Sequence, residues 1–301
     1  MIKCFFFEMD CLMIHQKTLQ NVATISGIGV HTGKEICLIL NPAPTDTGIV
    51  FRRSDLDPLI EVAALINNVV DTTLSTTLAI RHHSVATVEH LMSALAGLGI
   101  DNLYVDVDGP ELPIMDGSAD PFVRLLQSVG LREQQGLKKF FYIKETIEIR
   151  EKDKWVRLEP FDGFKVTFSI DYDHPVISAT SKKITLDFSE ISYADEIGRA
   201  RTFGFLDEYE YLKKNNLARG ASLENTIVLS RSKILNETGL RYANEFIRHK
   251  VLDAIGDLYL LGHGLIGAFE GYKSGHALNR ALVEEVLANP RKWELISINK
   301  K

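Results

Sequence analysis

Phe122-Val123-Arg124-Leu125-Leu126-Gln127-Ser128-Val129-Gly130, followed at once by Leu131 and the polar run Arg132-Glu133-Gln134-Gln135-Gly136, decides how this chain is divided. Phe122, Leu125, Leu126 and Val129 recur at helical spacing, so one face of a helix is apolar. Gly130 ends that helix, and the polar run after it marks a domain boundary. Upstream, residues 17–25 and 34–40 alternate like strands around the turn-rich Gly27-Ile28-Gly29-Val30-His31-Thr32-Gly33, and Gly48-Ile49-Val50-Phe51 adds another strand. Ser84 can cap a helix reaching about Ala96, Leu103 to Val107 alternates again, and Ser118 caps the helix of the opening stretch. Downstream the order repeats. Strands are predicted at 140–149, 155–159, 164–170 and 183–187, and helices at 189–197, 207–213, 243–262 and 276–288. Strands first and long helices later predict an α+β protein of two layered domains, 13–137 and 138–301, rather than a doubly wound parallel sheet. One continuous domain with a mixed sheet is the alternative.

The 301 residues suffice for a substantial core, and 34 Lys and Arg against 40 Asp and Glu give no support for nucleic-acid binding. The three cysteines, Cys4, Cys11 and Cys37, form no CxxC pair, so neither a thiolate metal site nor a disulfide framework is expected, and a reducing compartment is. In residues 1–12 the cluster Cys4-Phe5-Phe6-Phe7 is broken by Glu8 and Asp10, which argues against a secretory signal. That segment reads as an extension ahead of a second start at Met13. No stretch approaches the roughly 18 to 20 apolar residues that span a bilayer, so no integral membrane segment is expected.

The chemistry concentrates in Phe246-Ile247-Arg248-His249-Lys250-Val251-Leu252-Asp253-Ala254-Ile255-Gly256-Asp257. His249, Asp253 and Asp257 stand at i, i+4 and i+8 on one helical face. A surface helix can carry such a row by chance. Here the apolar neighbours, Val251 and Leu258 through Leu261, imply burial, where His and Asp need hydrogen bonds or a metal. One His and one Asp do not complete a zinc set. Glu89-His90 offers a second helical source, though it is not HExxH, and taken alone it is a weak signal, because satisfied histidines and helix-surface glutamates are common. His276, where the Gly-bounded loop Gly267 to Gly275 enters a helix, is read either as a helix-capping or core residue, or as an imidazole able to protonate an amine.

The chain resembles the UDP-3-O-acyl-N-acetylglucosamine deacetylases from Met13 onward. The resemblance rests on Gly27 through Gly33, Thr87-Val88-Glu89-His90-Leu91, Ala94 through Asn102, Pro113 through Ser118, Arg199-Ala200-Arg201-Thr202-Phe203-Gly204-Phe205, Arg248 through Asp257 and Tyr272 through Leu278. It implies two facing α+β domains, each a sandwich of sheet and helices, with one zinc ion and the substrate between them. By the resemblance His90, His249 and Asp253 are the ligands, Glu89 the general base, and His276 its electrostatic partner or the general acid. Thr202, Lys250 and Asp257 complete the catalytic set. Substrate contacts fall to Phe203, Lys154, Tyr172, Ala221, Leu223 and His31, while His82 and His83 are excluded as ligands. The implied reaction removes the acetyl group from an acylated UDP-N-acetylglucosamine, the committed step of lipid A biosynthesis in the cytoplasm of a Gram-negative bacterium, and a monomer is expected. Rival readings are a metallohydrolase acting on another sugar and a non-catalytic metal-stabilised binding module.

Overall fold

The structure, a computed structural model, describes residues 13–298. The expected extension 1–12 lies outside the described residues. The helices are α1 (Glu89–Leu98), α2 (Asp120–Ser128), α3 (Pro175–Ser178), α4 (Leu206–Lys214), α5 (Glu245–Leu258) and α6 (His276–Ala288). With the sheets below they make an α+β protein.

Upstream of Leu137 a five-stranded sheet runs in the order Ala23–Ile28, Glu35–Pro42, Leu103–Val107, Ile49–Arg53, Ile60–Ala63, beside a three-stranded meander of Val69–Asp71, Thr77–Ile80 and His83–Val85. Downstream a seven-stranded sheet is built around Gly264–Tyr272. Lys154–Glu159 pairs antiparallel and Phe164–Ser169 parallel with its second half, and Phe140–Ile143 runs parallel with its start. Among the described residues, the named strands pair only with strands on their own side of Leu137. One continuous apolar core, from Leu19 through Leu95 and Phe246 to Val286, joins both sides.

Two local expectations are corrected and one segment is filled in. The polar run Arg132 to Gly136, read only as a domain boundary, lies in a strand: Leu131–Leu137 is paired antiparallel with His15–Leu19. Its ladder is made by backbone groups, which are indifferent to the polarity of side chains on a solvated edge. Ser84 does not cap a helix, because His83–Val85 closes the meander and α1 begins at Glu89. The Gly-bounded stretch before His276 is mostly the central strand Gly264–Tyr272. Its glycines answer packing: a Cβ at Gly271 would stand 3.1 Å from the Phe168 ring, and one at Gly267 2.9 Å from Ile143.

Helix α5 is buried nearly all round, with Arg248 and Lys250 its only partly exposed residues, and it packs on α1 and α6. A helix so enclosed holds its polar residues against other elements rather than in water.

Candidate active site

The site forms where the first turn of α1 meets the middle of α5. A Cβ at Gly256 would run into the carbonyl oxygen of Glu89, so glycine is what lets the two backbones approach so closely. That approach brings His90 beside His249 and Asp253, all three at most 4% exposed. Their candidate ligand atoms lie within 4.8 Å of one another. His249 Nε2 stands 3.3 Å and His90 Nε2 3.7 Å from the same Asp253 oxygen, Oδ1.

His249 Nδ1 lies 3.1 Å from the Ala200 carbonyl, an oxygen that can only accept. Nδ1 therefore carries the proton, and Nε2 points a lone pair at a carboxylate oxygen. Burial keeps both imidazoles neutral, lowering His249 below its ordinary range and His90 to about 3, with His249 adding to the effect on His90. Asp253 is the opposite case. Burial alone would raise it, but the Lys250 ammonium, 2.6 Å from Oδ2, holds it well below the usual carboxylate range. Lone pairs converging on an ionised oxygen repel unless a cation sits between them. Two neutral imidazoles and one carboxylate are also the donor set that suits a divalent metal with an open position.

Glu89 occupies the first turn of α1 and accepts a hydrogen bond from the Thr76 backbone N–H at 3.0 Å. Burial raises its carboxyl to about 7, with Asp253 and Asp257 reinforcing the shift and His276 opposing it. His276 is the first residue of α6, and its Nδ1 lies 2.9 Å from Asp257 Oδ2. Burial would lower this imidazole, but Asp257, Glu89 and Asp253 outweigh it and raise it to about 9. Asp257 Oδ1 accepts from the Thr76 hydroxyl at 2.6 Å, and Oδ2 also accepts from Asn279 Nδ2 at 2.8 Å. Ser274 Oγ in turn donates to Asn279 Oδ1 at 2.6 Å. Thr76, Asn279 and Ser274 were not legible as site residues. They are common polar types with no distinctive spacing, and only the fold brings Thr76 to Asp257 across 181 positions.

A cavity of about 400 Å³ opens beside this cluster. Glu89, His90, Thr202 and His31 are among its polar lining residues, and Phe203, Ala221 and Leu223 among its apolar ones. Leu212 of α4 also lines the cavity without having been singled out in the sequence. Tyr172 stands behind the wall, with its ring 5.6 Å from Phe203 and 6.1 Å from Phe205. Lys154 is exposed at the start of its strand and does not line the cavity. His82 and His83 pack on each other, 4.3 Å between centroids, and neither belongs to the metal-competent trio. A second cavity of about 350 Å³, bordered by Gly97, Lys138, Phe164 and His263, takes in none of the candidate site residues.

Residues 16–288 match the family described as UDP-3-O-acyl N-acetylglycosamine deacetylase. The chain is 56% identical over 285 residues to the UDP-3-O-acyl-N-acetylglucosamine deacetylase of Coxiella burnetii (strain RSA 493 / Nine Mile phase I), covering 95% of this chain and 94% of that one. It is 58% identical over the same length and shares to the enzyme of that name from Thioalkalivibrio sulfidiphilus, and 55% identical to that from Alcanivorax borkumensis. With a matched span that takes in Glu89, His90, the α5 row and His276, the chain belongs to the UDP-3-O-acyl-N-acetylglucosamine deacetylase family.

Proposed function

We propose that this deacetylase hydrolyses the N-acetyl group of UDP-3-O-(3-hydroxyacyl)-N-acetylglucosamine with one zinc ion held by His90, His249 and Asp253. The observation that carries the reading is the convergence of two imidazole Nε2 atoms on one ionised, buried oxygen of Asp253. When bound, the metal polarises the acetamide carbonyl and acidifies water.

The protein's own groups supply the rest. Glu89, buried and lifted to about 7, takes a proton from the water that attacks the carbonyl. The Thr202 hydroxyl, in the cavity lining, can donate to the oxyanion that develops. Lys250 acts first through Asp253, keeping that carboxylate ionised and oriented. The Nδ1 proton of His276 is committed to Asp257, so the proton it can give to the departing amine sits on Nε2. Glu89 can deliver the same proton after collecting it, so the amine has two sources within one cluster. The products are acetate and the free 2-amino sugar nucleotide. The apolar lining residues Phe203, Ala221 and Leu223 suit the 3-O-acyl chain, and His31, also in the lining, is read as a further substrate contact.

On this reading the enzyme works between two α+β units, 13–137 and 138–301, as a monomer in the cytoplasm of a Gram-negative bacterium, at the committed step of lipid A biosynthesis. Among the described residues no helix is long and apolar enough to cross a membrane. The decisive measurement is acetate release from acylated and deacylated substrate, before and after metal removal. Activity should vanish with chelation, return with about one equivalent of zinc, and favour the acylated substrate. His90→Ala, His249→Ala and Asp253→Ala should each weaken metal retention. Turnover that survives complete metal removal would exclude the proposal.

A further inference from the structure

Thr76 stands where the two halves of the acid–base cluster meet. It sits just before the strand Thr77–Ile80, is 2% exposed, and turns its backbone N–H and its hydroxyl into the site. The backbone N–H donates to Glu89 Oε2 at 3.0 Å. The hydroxyl donates to Asp257 Oδ1 at 2.6 Å, leaving its oxygen 3.3 Å from His276 Nδ1. Threonine hydroxyls commonly turn back to nearby backbone. This one reaches a buried carboxylate from the other half of the chain.

We infer that Thr76 is a positioning residue that fixes Glu89 and the Asp257–His276 pair in one arrangement, so that the proton-accepting and proton-donating atoms address the same acetamide. The inference rests on the acid–base reading above. Oδ2 of Asp257 is held by His276 and Asn279, both from α6, whereas Oδ1 is held by Thr76. Without that third bond the carboxylate can turn about its Cβ–Cγ axis within the α5–α6 side alone, and the imidazole turns with it. The bond to Oδ1 is therefore what refers the His276 ring to the backbone that also carries Glu89. Precise placement of such groups governs how fast bound substrate reacts more than how tightly it binds.

The test compares Thr76→Val, which keeps the shape and the backbone N–H but loses the hydroxyl, with Thr76→Ser, which restores the hydroxyl. Thr76→Val should lower kcat by about tenfold or more, the effect of losing one hydrogen bond to a charged group, with KM within about twofold of the parent. Thr76→Ser should stay within about threefold of the parent in kcat. Nitrogen NMR of the metal-loaded protein should show the His276 Nδ1 resonance moved in the Val variant and restored in the Ser variant. Combining Thr76→Val with Asp257→Asn should cost less than the product of the two single losses, because both act through the same imidazole. If Thr76→Val fails to fold, Thr76→Ala against Thr76→Ser makes the same comparison. Parental kcat in the variant lacking the hydroxyl, or equal losses in it and the Ser variant, would overturn the role of Thr76. His276→Ala, measured alongside, separates the two readings. Parental kcat there would sink the acid–base assignment itself, whereas a crippled His276→Ala beside an unaffected Thr76→Val would sink only the positioning role.

Discussion

Glu89 and His276 are pushed in useful directions by one environment. Burial raises the carboxyl to about 7, and three carboxylates raise the imidazole to about 9, so a base and an acid coexist between those values. A bound cation favours the carboxylate and disfavours the imidazolium, so both limbs of the rate profile move to lower pH in the metal-loaded enzyme. We expect a bell-shaped pH dependence of kcat/KM, with its acid limb below about 7 and its alkaline limb below about 9. Glu89→Gln should keep its metal yet lose about a hundredfold or more in turnover, and His276→Gln should erase the alkaline limb. An alkaline limb that stays in place in His276→Gln would remove His276 as the acid. The same imidazole carries a stability consequence. Its folded value lies above the ordinary 6.5, so the metal-free protein holds the full benefit below about 6.5 and loses it as pH rises through about 9. Thermal melts across that range should show parent and His276→Gln converging at high pH. At this scale the sequence was informative in part: the α5 row stands out by residue type and spacing, whereas Glu89 and His90 were singled out by the family resemblance. Thr76 and Asn279 were not, because nothing local distinguishes a threonine that caps a carboxylate from one that lines a strand.

At the scale of elements, the site depends on how closely α5 passes the first turn of α1. Glycine inside a helix ordinarily costs about 1 kcal/mol relative to alanine, so Gly→Ala there normally stabilises. Gly256 should behave in the opposite way, because the added methyl would meet the Glu89 carbonyl. Gly256→Ala should cost about 1–3 kcal/mol in chemical denaturation and also loosen metal, since parting the helices carries His90 away from Asp253. A variant as stable and as metal-competent as the parent would show that the approach is not tight. Helical periodicity made α2, α4, α5 and α6 legible, and alternation did the same for Leu103–Val107 and Lys183–Asp187. The failures share one cause. Gly264–Tyr272, Leu131–Leu137 and His83–Val85 are strands because of the strands beside them, and their own residues (small, polar or few) resemble those of loops.

Across the whole molecule, the proposed reaction requires a polar site and an apolar passage in one cavity, and the lining of the 400 Å³ space includes both His90 and Leu223. Each methylene moved from water into that passage contributes up to about 0.8 kcal/mol, or about fourfold in kcat/KM. Parent enzyme should therefore lose efficiency stepwise as the 3-O-acyl chain is shortened. Ala221→Leu should penalise long chains far more than short ones while leaving metal content intact. Equal losses at every length, or a parent indifferent to length, would refute the passage. The sequence by itself determined the α+β class, the chemical types at the site and the family resemblance, because these are written in residue identity and in spacing along single helices. Only the tertiary structure decided that Tyr172 backs the wall while Lys154 lies outside the cavity, and that Thr76 reaches Asp257. Those contacts join residues far apart in the chain. They exist only because the packing of α1 on α5 and of α5 on α6 sets distances that no local pattern encodes.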